Sequence, residues 1–326
     1  MSNRLAALGR ARLALPHPIR SALRKLARNA VDAVPPLARA RDARLLRRRM
    51  RDGLGYDPDF RNPQTYNERL AHKILYDRDP LLVRTADKIT VRDFVAERIG
   101  AEHLVPLIGT YDRAADIPWE SLPDRFVLKA NHGSGTNLIV RDKASVDRDK
   151  ALRQADAWLA ESHYAWTGEW AYGRIRPRLL IEALLEGDEP GKPPQDYKFY
   201  VFRGHTRLVE VHVDRFGPGH RCFFRDTDTL RQVPFRWSVI SASREEEEAY
   251  IPPAELPEMA RIAARLGAGF DHVRVDFYLC DGRILFGELT HYNGNACEPF
   301  FPSEYDRVLG DLWEQPDRPW PEEPPA

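Results

Sequence analysis

The chain has 326 residues, with 49 basic and 49 acidic side chains and 43% apolar residues. That length allows one large domain or two smaller ones, and the balanced charge argues against a protein that coats nucleic acid through its overall field. Cys222, Cys280 and Cys297 form no CxxC pair, so neither a disulfide framework nor a structural zinc site is expected, and no apolar run nears the roughly 18 residues of a spanning helix. The expectation is a soluble, cytoplasmic protein with no nucleic-acid partner.

The neutral total conceals an asymmetry. Arginines recur from Arg4 to Arg51, opposed only by Asp32 and Asp42. Ile19–Ala27 and Ala43–Met50 alternate apolar and basic residues at helical spacing, which predicts a basic, partly helical extension over residues 1–54. Such a segment is either a solvated arm or a peripheral contact with an anionic membrane face. A cleaved targeting peptide fits less well, because Leu5–Leu8 is too short for its apolar core and Pro16 and Pro18 interrupt the stretch beyond it.

Beyond Gly53 the pattern changes. Thr65 is a candidate N-cap for a helix over Tyr66–Tyr76. A second helical stretch contains Asp87-Lys88, with Ile89, Val91, Phe94, Val95 and Ile99 on one face and Gly100 as its stop. Leu104–Ile108 reads as a short strand. Phe126–Lys129 and Leu138–Val140 read as strands flanking a polar glycine loop, and Ser145–Leu159 as a helix. Further strands are expected near Leu179–Ile181, Tyr197–Phe202, Leu208–Val213, Val273–Leu279 and Ile284–Glu288, with a helix over Glu255–Leu266. Helices interleaved with mainly antiparallel strands indicate an α+β core. Pro316–Ala326 reads as a flexible tail.

The chemistry concentrates in three places. Lys129 stands at a strand end before Gly133-Ser134-Gly135, where exposed backbone N–H groups and an ammonium would receive an anion, although many such loops are plain connections. Ser134 lacks the strand–turn–helix elbow of a nucleophile. Arg274 and Asp276 project from one face of a strand, Asp281-Gly282 is a hairpin turn, and the return strand brings Glu288 beside Asp276 with Thr290 on the same face. Two converging carboxylates call for a cation, either Mg²⁺ with phosphate oxygens or Arg274 itself. Between these clusters, Asp196 and Lys198 share a strand face and Arg215 follows the return strand. Together the cations Lys129, Lys198, Arg215 and Arg274 with these carboxylates would suit a nucleoside triphosphate and two metal ions.

The ordered set Asp87-Lys88…Arg92, Phe-Val-Leu-Lys129-Ala-Asn-His-Gly-Ser-Gly, Glu182, Asp196-Tyr-Lys198-Phe, Asp214-Arg215-Phe and Val-Arg274-Val-Asp276-Phe-Tyr…Gly-Glu288-Leu-Thr290 resembles the TupA-like branch of the ATP-grasp superfamily over roughly residues 55–315. That branch is named for a teichuronopeptide biosynthesis protein and is common in bacterial polysaccharide gene clusters. The resemblance implies an ATP-grasp fold, with two α+β subdomains enclosing ATP. It divides the domain into an N-terminal part, 55–125, a lid subdomain, 126–187, and a metal- and phosphate-binding part, 188–315. It implies that Lys88 and Lys129 touch phosphates under a flap formed by Gly133, Ser134 and Gly135. Glu182, Ala183 and Leu184 would be the adenine hinge, with Asp196 or Glu186 near the ribose. Asp276 and Glu288 would hold Mg²⁺, with Thr290 standing where the superfamily usually has asparagine; Asn293 or Asn295 would substitute as third ligand. Ala183 also departs from the branch, which often has glutamate there.

The implied activity is ATP-dependent carboxylate–amine ligation through an acyl phosphate, with Lys198, Arg215 and Arg274 stabilising the reacting groups and a uronic or other carboxylate joined to an amine in cell-surface polysaccharide synthesis. His132 and His291 sit near this region and read as hydrogen-bonding residues. Two rivals stand beside this reading. Asp226-Thr227-Asp228 has the spacing of a metal-dependent glycosyltransferase, and a non-catalytic protein of the same fold would retain the ATP site.

Overall fold

The computed structural model describes residues 34–187, 193–213, 220–233, 235–237 and 249–321. The chain divides into two units, Met1–Leu45 and Leu46–Ala326. In the first unit the described residues are helical from Pro35, the start of α1 (Pro35–Leu54), and Arg41 donates to Asp42 at 2.6 Å. The basic stretch Ile19–Ala27 lies outside the described residues.

The second unit begins within α1, where Leu46 and Met50, one turn apart, are fully buried while Arg47 and Arg51 pair with Asp57 at 2.9 and 2.8 Å. Helix α2 (Tyr66–Tyr76) starts at a capping box: the Thr65 hydroxyl accepts from the Glu68 N–H, and the Glu68 carboxylate accepts from the Thr65 N–H, both at 3.1 Å. The stretch expected to carry Asp87-Lys88 as one helix is two. Helix α3 (Pro80–Ala86) stops at Asp87, which is extended at φ −76° and ψ 116°, and α4 (Val91–Ile99) starts after a turn. The break has a local cause: the Asp87 carboxylate accepts from the Ile89 N–H at 2.8 Å and from the Asn131 side chain at 2.9 Å. The strand expected at Leu104–Ile108 is displaced to β1 (Leu107–Tyr111), past Pro106, which has no N–H for a ladder.

Strands β2 (Phe126–Ala130), β3 (Asn137–Val140) and β4 (Leu179–Ala183) join β1 in an antiparallel sheet of order β1-β4-β2-β3. Helix α5 (Arg148–Ala160) covers it; Asp147 accepts from the Lys150 N–H at 2.9 Å, which sets the helix start three residues beyond the expected Ser145. Ala151, Ala155 and Trp158 pack with Phe126, Leu128, Val140, Leu179 and Ile181 into one core. The short helix α6 (His163–Thr167) follows.

The second sheet has order β10-β9-β5-β6-β7, from β5 (Gln195–Phe202), β6 (His205–Val213), β7 (Arg221–Asp226), β9 (His272–Cys280) and β10 (Arg283–Thr290). The two-residue strands β8 (Arg236–Trp237) and β11 (Phe300–Phe301) pair separately. Alternation gives the large sheet two unlike faces. Phe199, Val275 and Phe277 belong to the apolar face, and helix α7 (Leu256–Gly267) packs on β5, β6 and β9 through buried Met259, Ile262, Ala263 and Leu266. The other face carries charge.

Helix α8 (Tyr305–Glu314) closes the described chain against α2. Asp306 accepts from the Asn67 N–H at 2.9 Å and from the Tyr56 hydroxyl at 3.0 Å. Gly310 lies on the turn before α2, where an added Cβ would come within 2.1 Å of the Gln64 carbonyl oxygen. Gly310→Ala therefore tests this packing with opposed signs. Helix propensity alone favours alanine by about 1 kcal/mol. The collision is with backbone, which cannot swing aside, so the variant is expected to lose roughly 1–3 kcal/mol in denaturant unfolding. A stabilised variant would show that α8 does not pack here as described.

Candidate active site

Between the two sheets a cavity of about 390 Å³ is lined by α3–α4, the β2–β3 loop, β4, β9 and β10. Its volume is in the range of small-molecule sites. Its charged lining is balanced: Lys88, Arg92 and Lys129 face Glu182, Asp276 and Glu288.

Each cation has a structural reason for its place. Lys129 and Glu182 come from paired strands β2 and β4, and the Lys129 ammonium donates to Glu182 Oε2 at 2.7 Å. Arg92, on α4, donates to Glu182 Oε1 at 2.8 Å and to the Val105 carbonyl at 2.8 Å. Lys88 occupies the turn between α3 and α4, donating to the Gly133 carbonyl at 2.7 Å and standing 3.8 Å from Glu288. That turn is docked by Asn131, which is fully buried at the end of β2. Its side chain donates to Asp87 and to the Arg176 carbonyl and accepts from the Arg178 N–H, at 2.9, 3.0 and 2.7 Å, while its own carbonyl accepts from the Lys88 N–H at 3.2 Å. Every polar group of Asn131 is used, as burial demands.

The opposite wall is the charged face of the large sheet. Ladder register places Glu288 opposite Asp276, Asp276 opposite Lys198 and Lys198 opposite Glu210. Asp281 and Gly282 turn the β9–β10 hairpin with positive φ, as its Asp-Gly sequence predicts. A bulge between Phe286 and Glu288 sets the register; at Gly287 a Cβ would stand 3.1 Å from the Asp276 carbonyl oxygen. Asp276 is clasped on both oxygens. Arg274 donates to Oδ1 and Oδ2 at 2.7 and 2.8 Å, and Lys198 donates to Oδ2 at 2.9 Å and to Asp196 at 2.7 Å. Burial pushes the Asp276 carboxyl up, but Arg274 and Lys198 outweigh it and hold the group well below the usual range. Burial and Asp276 act likewise on Glu288, and Lys88 with Arg274 brings it below its ordinary value. Glu288 Oε1 accepts from the Thr290 hydroxyl at 2.9 Å, and Arg274 donates to that hydroxyl at 3.1 Å.

Of the residues singled out from sequence, Lys88, Lys129, Gly133, Ser134, Gly135, Glu182, Asp276 and Glu288 line one cavity. Arg274, Lys198, Asp196 and Thr290 lie behind its wall as partners of the carboxylates. Ala183 and Leu184 are not among the lining residues, and the Ala183 N–H is given to the Pro106 carbonyl at 3.0 Å. Glu186 pairs with Arg125 away from the cavity, and Asp196, buried against Lys198, is likewise not at its wall. Asn295 donates to Glu169 at 2.9 Å and to the Thr167 carbonyl at 3.1 Å; neither it nor fully buried Asn293 lines the cavity. Arg215 lies outside the described residues. His132 bonds the Glu161 carbonyl at 3.2 Å and His291 the Thr85 hydroxyl at 2.8 Å, hydrogen-bonding roles in both cases. Sequence reasoning passed over Arg92 and Asn131 as site residues. The Asp-Lys…Arg spacing and the Asn that follows the β2 lysine were their signals.

Asp226 is buried and Asp228 is exposed, so the two carboxylates do not share one environment. Both face Arg207, at 3.7 and 3.5 Å, and Asp226 accepts from the Thr229 N–H at 2.7 Å and from Trp320 at 2.6 Å. They form the end of β7 and its turn.

The family model described as TupA-like ATPgrasp matches residues 68–314. No curated protein matches the chain. Among solved structures, D-alanine–D-alanine ligase from Bacillus anthracis complexed with ATP is 13% identical, covering 64% of this chain and 54% of that one, with a TM-score of 0.33. L-amino acid ligase from Bacillus licheniformis is 13% identical, covering 72% and 51%, with a TM-score of 0.40. D-cycloserine synthetase DcsG is 14% identical, covering 77% and 82%, with a TM-score of 0.38. The chain thus spans about half the length of the first two.

The clasp on Asp276 has a thermodynamic consequence. Asp276→Asn leaves Arg274 and Lys198 buried without their shared anion, a loss of about 3–5 kcal/mol near neutral pH. Because the folded carboxyl sits below its ordinary value of 3.8, its stabilisation is complete above that pH and declines as pH falls toward the folded value. Denaturant unfolding should therefore show a wide gap between wild type and variant at pH 7 and a narrower one at pH 3. Equal gaps would contradict the assignment.

Proposed function

The chain belongs to the TupA-like ATP-grasp family, and from that premise we propose that it is an ATP-dependent ligase joining a carboxylate to an amine. One observation carries the reading: Lys88 and Lys129 face the paired carboxylates Asp276 and Glu288 across a single cavity beneath the glycine loop. Cations on one wall and hard oxygen donors on the other suit a triphosphate with its counter-ion.

In this reading Lys88 and Lys129 bind phosphate oxygens, and the N–H groups of Gly133–Gly135 approach them from above. Glu182 holds Lys129 and Arg92 in place. The donor set fits Mg²⁺, since Asp276 and Glu288 offer carboxylate oxygens from neighbouring strands at a cavity wall, the mode in which one or two carboxylates share that ion with substrate phosphates. Thr290 and Arg274 orient Glu288 for this role, and Lys198 orients Asp276. When bound, the ion supplies charge neutralisation to the phosphates.

The reaction then needs no enzyme nucleophile. A substrate carboxylate oxygen attacks the γ-phosphorus, the bond to the β-bridging oxygen breaks, and ADP leaves an acyl phosphate behind. The amine attacks the acyl carbon; phosphate departs, the nitrogen loses its proton, and an amide remains. We assign Arg274 and Lys198 to hold the carboxylate row against this changing charge. A uronic acid carboxylate in cell-surface polysaccharide synthesis is the substrate class we infer, supported by the associations of the family. No helix among the described residues is long and apolar enough to cross a membrane.

Thermal unfolding with Mg-ATP and with Mn-UDP-glucose, side by side, tests the nucleotide assignment. Ligand at a hundred times its Kd contributes about 2.7 kcal/mol. Mg-ATP is expected to raise the Tm of the wild type, and Glu288→Gln, at a half-buried position that spares the Asp276 clasp, is expected to abolish the rise. ADP release should then depend on adding both a carboxylate and an amine. Stabilisation by the nucleotide sugar alone would overturn the proposal.

A further inference from the structure

The charged row of the large sheet does not end at Lys198. Its next member, Glu210 on β6, is buried, and beside it on the same face are His212 and, across the ladder on β7, Cys222. His212 Nε2 lies 2.6 Å from Glu210 Oε1, and the Cys222 thiol donates to the same oxygen at 3.4 Å. A carboxylate oxygen, an imidazole nitrogen and a sulfur thus form a triangle whose atoms all lie within 4.8 Å of one another. The outer contacts are those that orient metal ligands. Glu210 Oε2 accepts from the Tyr200 hydroxyl at 2.9 Å, and His212 Nδ1 pairs with His220 Nε2 at 2.9 Å, which fixes the ring and leaves Nε2 turned inward.

We propose that Glu210, His212 and Cys222 bind a divalent d-block ion, with zinc the expected occupant. Thiolate and imidazole select zinc over magnesium, and three protein ligands leave a fourth position for water or another donor. Binding displaces the thiol proton and the proton shared by His212 and Glu210, leaving a thiolate and a carboxylate that match the ion's two charges. The site is separate from the Asp276–Glu288 pair, with Lys198 between them in the row. It ties β6 to β7 next to the connection between them. The inference is independent of the ATP reading, because its readout needs no nucleotide. It also departs from the expectation drawn from cysteine spacing. The donors are set by strand register rather than by a CxxC repeat.

The test uses the full-length untagged chain, stripped with a chelator and dialysed against one equivalent of Zn²⁺ or Co²⁺ in excess Mg²⁺. One zinc per chain should survive gel filtration, and the cobalt form should show thiolate-to-cobalt charge-transfer absorption. Cys222→Ser should remove the band, Cys280→Ser and Cys297→Ser should keep it, and His220→Ala should weaken zinc binding roughly 10- to 100-fold. Absence of stoichiometric zinc, or a band that survives Cys222→Ser or is lost with either other cysteine, would overturn the proposal. Should Cys222→Ser fail to fold, the wild-type cobalt spectrum decides, since a hydrogen-bonded triad without metal affinity gives no such band.

Discussion

The Asp276 carboxylate, clasped by Arg274 and Lys198, is the constraint on which the site depends. Three buried charges on one sheet face would be prohibitively costly singly, and together they satisfy one another. Their meeting is a matter of register. The antiparallel ladders of β9 with β5 and β10 put Glu288, Asp276 and Lys198 in one row, and a slip of β9 by one residue would send Asp276 into the apolar layer beneath α7. The hydrophobic face thus fixes the polar one. Val275 and Phe277 lie under α7 because Arg274 and Asp276 do not.

The opposing wall follows a different logic. Lys88 belongs to no regular element; it projects from a turn that exists because Asp87 ends α3 and Asn131 takes hold of Asp87 from the end of β2. The anchoring amide also accepts the N–H of Lys88 through its backbone carbonyl, so the strand that supplies Lys129 also sets the height of Lys88. Across the cavity each cation is matched by an anion, with Lys129 and Arg92 on Glu182, and Lys88 near Glu288. In the proposed function a polyphosphate enters by taking over these cations, and the carboxylates they leave are balanced by the metal that accompanies it. Binding of nucleotide and of divalent ion are then coupled by charge.

Much of this was legible in sequence because it is local. Thr65 with Glu68 announces the start of α2, Asp281-Gly282 the hairpin, and the alternation Arg274-Val-Asp276-Phe the two faces of β9. Other features depend on contacts between remote parts of the chain. Asp87-Lys88 sits in an apolar helical pattern, and the Asp87 carboxylate breaks it by taking the Ile89 N–H and the amide of Asn131 from the end of β2. Glu186, which the resemblance puts near the ribose, pairs with Arg125. Cys222 and His212 look unrelated along the chain, and they become neighbours only when β6 and β7 pair. Contacts made by register or by remote side chains leave no period in the sequence to find.

The central claim of the proposed function is that Asp276 and Glu288, held in place by Arg274, Lys198 and Thr290, take up a divalent ion together with the nucleotide. Electron paramagnetic resonance of Mn²⁺, titrated with and without ATP into the chain already loaded with one equivalent of Zn²⁺, tests it most directly. The account predicts almost entirely free Mn²⁺ with protein alone, and a large bound fraction once ATP is added, lost again in Glu288→Gln. Strong Mn²⁺ binding without nucleotide, or ATP binding of full strength without any divalent ion, would contradict it.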